Sequence, residues 1–336
     1  MSKLEYAKVL SKEVISSIEL NYLLQFNSIQ QLFTGADKDT FVYKAVSDER
    51  KTFFMKIRTG DLKESSVEIP YLLSQYAGPH IIKPIKTIEE NLFLKLMDCT
   101  VILYPFIDGK TAKETRLTMQ QWNKFGEVLR AIHDYKINKN SNEIPLETYD
   151  AQWRTKLKKY LNELNNKERD NLCVKQFINL YDQKSELIKF IIYRAEDLLG
   201  KMKKARNDYC LCHGDIHAGN ILISRDRNFF LTDWDTLIIA PKERDLMFIG
   251  GGVGNTWNKK EEEAAFYEGY GGKENVDEEI ISYYRFERII VDLVEYYEQF
   301  FVENIEEKNQ RAILDRVGSA FHPNGVVDMA FQGTAP

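Results

Sequence analysis

The chain has 336 residues, 43% of them hydrophobic and 29% charged, and its 46 basic and 51 acidic residues give a net charge of −5. Such a composition is typical of a globular protein with enough apolar material for a core, and the length predicts about two domains. The slight acidic excess excludes a generally basic surface of the kind that binds nucleic acid or anionic membranes.

Neither a membrane span nor a secretory leader is indicated by the sequence. Apolar runs such as Phe229–Leu231 and residues 237–240 are far shorter than the roughly 20 residues that a membrane span needs. Residues 1–7 contain no long apolar segment, so no signal peptide is predicted. We therefore expect a cytoplasmic protein with no membrane partner and no nucleic-acid partner.

The cysteines do not form the pattern of a disulfide-stabilised domain. They are too few and too scattered for a chain of this length, which predicts reduced thiols. Two of them, Cys210 and Cys212, lie two residues apart in a predicted strand. No second Cys or Cys/His pair completes a zinc-binding set with them in the sequence, so we expect no metal there. The four cysteines are Cys99, Cys173, Cys210 and Cys212.

The N-terminal part of the chain predicts a small sheet with one embedded helix. Apolar and polar residues alternate at helical spacing over residues 13–33, and a polar, turn-like segment follows. Aromatic and β-branched residues then predict strands on either side of a polar hairpin loop. The predicted elements are a helix at 13–33, strands at 41–46 and 52–57, a helix at 61–76 that contains Pro70, and strands at 81–88, 91–96 and 99–106.

Helical patterns dominate after Gly109. An apolar face at helical spacing follows Thr118, and helices are also predicted at 151–165 and 174–206. A compact β segment occupies residues 209–235, and helical patterns return from Arg244 onward. We expect an α+β fold with a small lobe at 1–107, a larger, mainly helical lobe at 108–331 and a disordered tail at 332–336.

The densest polar chemistry lies in the β segment. Asp215 and Asn220 are five residues apart on a predicted loop, and Asp233 follows at the end of a strand. A carboxylate on a tight loop can orient a hydroxyl and accept its proton, whereas an amide oxygen and a second carboxylate can hold Mg²⁺. Phosphoryl transfer requires this division of labour, because it depends on positioning and charge neutralisation.

His213-Gly214-Asp215, followed by His217 and Asn220, resembles the catalytic loop of the aminoglycoside phosphotransferase family, whose fold is protein-kinase-like. Asp233-Trp234-Asp235 stands where protein kinases have Asp-Phe-Gly. The resemblance implies a bilobal α+β fold, ATP as phosphate donor with GTP not excluded, and Mg²⁺. It makes Asp215 the catalytic carboxylate and assigns the metal to Asn220 and Asp233.

The same resemblance implies a nucleotide-binding lobe at 1–107 that ends in a hinge. Lys56 resembles the family's phosphate-binding lysine, although taken alone it is an ordinary surface lysine on a strand. Glu64 and Glu68 on the following helix are both candidates for its ion-pair partner. Gly35 is the single glycine of a sparse phosphate loop, between Phe33 and Phe41. The segment that resembles the adenine-binding hinge contains Pro105, Phe106 and Ile107.

On the acceptor side, residues 247–258, 266–271 and 283–288 resemble the spectinomycin phosphotransferases of this family. The acceptor implied is a hydroxyl of a cationic aminocyclitol or aminoglycoside antibiotic such as spectinomycin, with a role in resistance. The resemblance also implies that His213 and Asp245 support the catalytic loop. Candidate substrate-binding residues are Asp235, Trp257, Tyr284 and Glu287.

The acidic residues are distributed unevenly along the chain. Residues 241–310 contain 17 acidic and 8 basic residues, so the negative charge concentrates in the region expected to bind the acceptor. Some of these acids, such as Glu261 to Glu263, also fit a solvated helix face. Their summed field nevertheless favours a cationic acceptor over an anionic one.

Three other functions are compatible with parts of the pattern. Metabolic kinases for choline, homoserine or methylthioribose share the catalytic residues, since fold does not determine the substrate. An inactive kinase-like scaffold is disfavoured because Lys56, Asp215, Asn220 and Asp233 are all present. A metallophosphatase needs several further ligands, but His322 is the only histidine after His217.

Overall fold

Two compact units make up the computed structural model, which describes residues 10–32, 39–96, 98–137, 144–164, 166–167, 171–202, 208–302 and 307–332. The first unit combines Met1–Thr115, Tyr135–Pro145 and Gly219–Leu237; the second combines Arg116–Asp134, Leu146–Ala218 and Ile238–Pro336. Each unit is therefore assembled from segments that are distant in sequence. The lobe boundary expected after residue 107 stays a prediction.

The first unit is built on an antiparallel sheet with the strand order β1-β2-β3-β5-β4. One face of the sheet is apolar, because side chains alternate along β3 and bury Phe53, Met55 and Ile57 on one side. Lys56 therefore points to the other face. The elements are α1 (Lys12–Tyr22), β1 (Phe26–Leu32), β2 (Thr40–Ser47), β3 (Thr52–Arg58), α2 (Ser65–Tyr76), β4 (Leu94–Leu96) and β5 (Cys99–Pro105).

The helix predicted at 13–33 is wrong in its second half. Leu23 adopts the left-handed conformation with φ of 49° and ends α1, and β1 follows and pairs with β2. Pairing with a neighbouring strand overrides the local helical spacing here. The strand predicted at 81–88 is reduced to an isolated bridge at Ile81, and the one predicted at 91–96 begins only at Leu94.

A smaller sheet in the first unit has the order β6-β8-β9. Asn220 ends a short 3₁₀ turn directly before β8, and Asp233 follows β9 after one intervening residue, Thr232. The antiparallel pairing of β8 and β9 therefore brings Asn220 close to the segment that carries Asp233. The strands are β6 (Gly109–Thr111), β8 (Ile221–Ser224) and β9 (Phe229–Leu231).

The second unit is mainly helical, which with the sheet of the first unit confirms the expected α+β class. Its long helix α8 is capped by Asp277, the residue before its first turn, whose carboxylate accepts hydrogen bonds from the backbone N–H groups of Glu279 and Ile280. No helix among the described residues is long and apolar enough to cross a membrane. The elements are α3 (Met119–Asp134), α4 (Gln152–Leu164), α5 (Leu172–Met202), β7 (Tyr209–Cys212), β10 (Ile238–Pro241), α6 (Glu243–Leu246), α7 (Lys260–Tyr270), α8 (Glu278–Phe301), α9 (Glu307–Ala320) and α10 (Val326–Gln332).

The expected disordered tail at 332–336 falls mostly outside the described residues. Gln332 ends α10, and residues 333–336 are not among those described.

Close packing of α3 against α7 depends on one glycine from each helix. A Cβ atom on Gly126 of α3 would collide with the backbone carbonyl of Phe266, and one on Gly269 of α7 would collide with that of Asn123. Both obstacles are backbone atoms, which cannot rotate away. The absence of a side chain at these two positions is therefore what allows the helices to approach.

We expect Gly269→Ala to destabilise the protein by about 1–3 kcal/mol or more, because α7 must move away from α3 to accept the methyl group. Urea unfolding measures the change. Gly200→Ala is the matched control, since Gly200 lies in a helix with open space around it and alanine is the better helix former by up to about 1 kcal/mol. Equal effects of the two substitutions would refute the packing argument.

Candidate active site

A buried carboxylate holds the loop that follows β7. Asp245 of α6 is 0% exposed and accepts hydrogen bonds from the backbone N–H of His213, at 2.8 Å, and of Gly214, at 2.7 Å. Its Oδ2 also lies 3.2 Å from Nε2 of His133 on α3. Burial raises the pKa of Asp245, but the hydrogen bond and charge of His133 lower it by more, so the net pKa is below the ordinary value. An ionised Asp245 thus anchors the residues directly before Asp215.

Asp215 is paired with Arg288 of α8. Nη1 of Arg288 lies 2.8 Å from Oδ1 of Asp215, and Nε2 of His217 lies 3.5 Å from Oδ2. Nε of Arg288 lies 2.9 Å from Asp292, one turn further along the helix. Burial raises the pKa of Asp215, but the hydrogen bond from His217 and the charge of Arg288 outweigh it and bring the pKa to about 2. Asp215 is therefore a carboxylate at neutral pH.

A cavity of about 240 Å³ lies within the second unit beside this loop. Gly214 and Arg288 contribute to its wall, so it reaches the immediate surroundings of Asp215. Acidic and aromatic residues make up seven of the 14 lining residues. The cavity is slightly smaller than the roughly 300–1,000 Å³ usual for small-molecule pockets. The lining residues are Glu147, Thr148, Tyr149, Asp150, Gln152, Trp153, Gly214, Arg244, Met247, Tyr283, Tyr284, Glu287, Arg288 and Val291.

The cations near the cavity are engaged by acids. Glu287 forms an ion pair with the buried Arg154, whose guanidinium also lies 3.4 Å from the hydroxyl of Tyr283. Burial raises the pKa of Glu287 above its ordinary value in spite of Arg154. Nη1 of Arg244 lies 3.7 Å from Glu147, and its central carbon lies 5.4 Å from the centroid of the Tyr284 ring. The hydroxyl of Tyr284 lies 3.2 Å from Glu147.

Two of the four candidate substrate residues, Tyr284 and Glu287, line the cavity and two do not. Trp257 is only 7% exposed and packs edge-on against Trp122, with ring centroids 5.1 Å apart, so its surroundings are core. Asp235 belongs to the first unit, where it pairs with Lys56. Its carboxylate is thus engaged by a basic residue of the sheet.

Sequence reasoning missed the part of the cavity wall formed by residues 147–153. This segment joins a predicted loop to a predicted helix and contains Glu147, Tyr149, Asp150 and Trp153. Acidic and aromatic residues clustered on a connecting segment were the available signal, because binding residues concentrate on loops. The pairing of Arg288 with Asp215 spans 73 residues and had no local signal.

Lys56 in the first unit pairs with Asp235, at 2.6 Å, and not with either expected glutamate. Nη1 of Arg58, two residues further along β3, lies 3.3 Å from the same carboxylate. Glu64 instead pairs with Lys95, at 2.6 Å, and Glu68 is exposed on α2. The predicted partners were both on the next helix, whereas the carboxylate that pairs with Lys56 is that of Asp235, which follows β9.

Asn220 and Asp233 present the oxygen donors that a hard divalent cation prefers. The backbone N–H and hydroxyl of Thr232 both donate to the carbonyl of Asn220, at 2.9 and 3.0 Å, which ties Asn220 to the residue before Asp233. Asp233 is exposed and has a left-handed backbone, with φ of 62°. An amide and an exposed carboxylate fit Mg²⁺ in the chemistry of their donor atoms.

The remaining predicted nucleotide residues lie around the end of β5. Pro105 is exposed, and the backbone N–H of Phe106 donates to the carbonyl of Thr52, at 3.2 Å. The ammonium of Lys44 lies 4.7 Å from the centroid of the Phe106 ring. Ile107 follows directly and is half-buried. Gly35 lies outside the described residues.

The ionised state of Asp215 predicts a pH dependence of stability. Because its folded pKa of about 2 lies below the ordinary value of about 3.9, the carboxylate stabilises the fold above about pH 4, by the order of 2 kcal/mol. This contribution is lost as the pH falls through the folded pKa. We expect the difference in unfolding free energy between wild type and Asp215→Asn to be constant from about pH 8 to 5 and to shrink below about pH 4. A difference that stays constant in urea titrations down to about pH 3 would contradict the assignment.

Comparisons with known proteins agree on one family. The profile described as "Phosphotransferase enzyme family" matches residues 30–280. The chain is 36% identical to the solved structure of spectinomycin phosphotransferase in complex with ADP and spectinomycin, with 97% of this chain and 98% of the other covered and a TM-score of 0.88. An amicoumacin kinase in complex with AMP-PNP, Ca²⁺ and Ami is 16% identical, with 98% and 99% coverage and a TM-score of 0.65, and it shows the fold alone. No curated protein matches the sequence.

Proposed function

This chain belongs to the phosphotransferase enzyme family and is an enzyme that transfers phosphate to a hydroxyl; we propose that its donor is ATP and its acceptor an aminocyclitol such as spectinomycin. The acidic, tyrosine-rich cavity beside Asp215 is the observation that carries the choice of acceptor. The similarity of the chain to a spectinomycin phosphotransferase over 97% of its residues supports the same choice.

The cavity favours a compact, cationic, hydroxylated acceptor. Glu147 and Glu287 are ion-paired with Arg244 and Arg154, whereas Asp150 adds a negative charge to the lining. The single positive charge of Arg288 lies between two carboxylates, Asp215 and Asp292, so the balance at the cavity is negative. Tyrosine hydroxyls and ring faces suit a polar ring carrying ammonium and hydroxyl groups. The modest volume of about 240 Å³ favours a single compact ring system over an extended oligosaccharide.

Asp215 acts on the acceptor hydroxyl. Its carboxylate accepts a hydrogen bond from that hydroxyl, orients the oxygen and takes the proton as the oxygen bonds to the γ-phosphorus. The bond from phosphorus to the oxygen that bridges the β- and γ-phosphates breaks, and ADP leaves. A carboxylate with a pKa of about 2 is a weak base, so orientation is its main contribution and proton transfer comes late.

Basic residues of the first unit suit the nucleotide phosphates. Lys56 and Arg58 converge on the carboxylate of Asp235, and a phosphate oxygen can take over part of that interaction. Asn220 and Asp233 would hold Mg²⁺, which when bound neutralises the charge of the phosphates. Asp215 and Asn220 are five positions apart in the sequence, so one short loop carries residues for both substrates.

The decisive experiment measures ADP release with ATP and Mg²⁺ in the presence of spectinomycin, other aminoglycosides, choline and homoserine. We expect stimulation by spectinomycin, and an Asp215→Ala variant that loses about 10²–10⁴-fold in turnover while it still binds ATP. Stimulation by choline or homoserine alone would move the assignment to a metabolic kinase of the same fold. Full turnover in Asp215→Ala would overturn the role of Asp215.

The charge of Asp150, an exposed residue of the cavity lining, predicts a selective effect on the acceptor. Asp150→Asn keeps an oxygen that can accept from the backbone N–H of Gln152 but removes the negative charge. We expect KM for a cationic acceptor to rise about 2–5-fold, with kcat and the KM for ATP unchanged. Glu268→Gln, an exposed acid of α7 outside the lining, is the matched control. Equal changes in the two variants would show that only the net charge matters.

A further inference from the structure

Three side chains with soft and borderline metal-binding atoms converge in the second unit, outside the cavity lining. They are His133 of α3 and Cys210 and Cys212 of β7. A ring nitrogen of His133 and both sulfurs lie within 4.8 Å of one another. His133 and Cys212 are buried and Cys210 is half-buried, so the group lies at the edge of the core.

The spacing of the sulfurs matches a tetrahedral metal centre. The two Sγ atoms are 3.8 Å apart, because residues two apart on a strand project to the same face. With zinc–sulfur bonds of about 2.3 Å and a tetrahedral angle, two thiolates bound to one zinc are also about 3.8 Å apart. The thiols therefore already stand at the separation that the bound ion requires.

We propose that His133, Cys210 and Cys212 form a binding site for a thiophilic divalent cation, of which zinc is the best match. Binding releases the two thiol protons and one ring proton of a charged His133, and water completes the fourth position. The sulfur of Cys212 gives up its contacts to the carbonyls of Ala240 and Pro241, which at 3.7 and 3.5 Å are weak S–H hydrogen bonds.

His133 is already oriented as a metal ligand would be. One ring nitrogen, Nε2, lies 3.2 Å from the carboxylate of Asp245, and the other, Nδ1, lies 2.7 Å from the hydroxyl of Tyr270. Histidines that bind metals typically donate their second nitrogen to a carboxylate, which fixes the tautomer and the ring plane. With Nε2–H on Asp245, Nδ1 is the basic nitrogen, and the Tyr270 hydroxyl only has to turn away.

This site has no signature in the amino-acid sequence. No second Cys or Cys/His pair completes a zinc-binding set with Cys210 and Cys212 in the sequence, and His133 is supplied by a distant helix. Packing of α3 against β7 creates the third ligand. The carboxylate of Asp245 contacts His133 and also holds the loop before Asp215. The proposed metal site and that loop therefore share one hydrogen-bonding partner.

Cobalt and zinc ions added to the tag-free, reduced full-length protein test the proposal. We expect one equivalent of Co²⁺ to produce a thiolate-to-cobalt charge-transfer band in the near ultraviolet, and one zinc per chain to remain after desalting. Saturating zinc should raise Tm by at least about 2 °C. Absence of the band in the wild-type protein would overturn the site, since thiols that merely contact each other give none.

Serine variants assign the band to its ligands. Cys210→Ser and Cys212→Ser should each lose it, whereas Cys99→Ser, which changes a half-buried cysteine of the first unit, should keep it. Circular dichroism checks that each variant is folded; if Cys212→Ser is not, the half-exposed Cys210→Ser decides. A band that persists in folded Cys210→Ser, or that disappears in Cys99→Ser, would equally overturn the assignment. None of these readouts depends on phosphotransferase activity.

Discussion

The buried carboxylate of Asp245 is the constraint on which the second unit depends. It is fully enclosed, and three donors from two other parts of the chain converge on it: the backbone N–H groups of His213 and Gly214, and the ring of His133. A buried charge is tolerated only when it is hydrogen-bonded in this way. Gly214 has φ of 85°, a conformation that glycine adopts without strain. The loop before Asp215 is thus held through its backbone, which leaves its side chains for chemistry.

Asp215, unlike Asp245, is balanced by the charge of an arginine side chain. Arg288 stands between Asp215 and Asp292, and the two carboxylates respond in opposite directions: the pKa of Asp215 is lowered, whereas burial raises that of Asp292. Arg288 therefore keeps Asp215 ionised without making the cavity basic. The positive charge of Arg288 is thus balanced locally by two carboxylates.

How far the sequence predicts the structure depends on the distance in sequence between interacting residues. Asp215, Asn220 and Asp233 lie within one β segment, so their spacing alone indicated phosphoryl transfer. The ion pair of Lys56 with Asp235 spans 179 residues, and a single sequence holds no local signal for such a contact. The helix predicted through residue 33 failed for a related reason, since β1 exists only because β2 pairs with it.

The segment from Cys212 to Leu237 shows why the two units are not two consecutive pieces of chain. Its first residues, through Ala218, belong to the second unit, and Gly219–Leu237 belongs to the first. β6 has its hydrogen-bonded partner in β8, and Lys56 has its carboxylate in Asp235. A fragment that ended at residue 107 would lack the β8–β9 hairpin and would leave Lys56 and Arg58 without that carboxylate. The nucleotide-binding residues we propose therefore need the returning segment, which follows directly on the loop that carries Asp215.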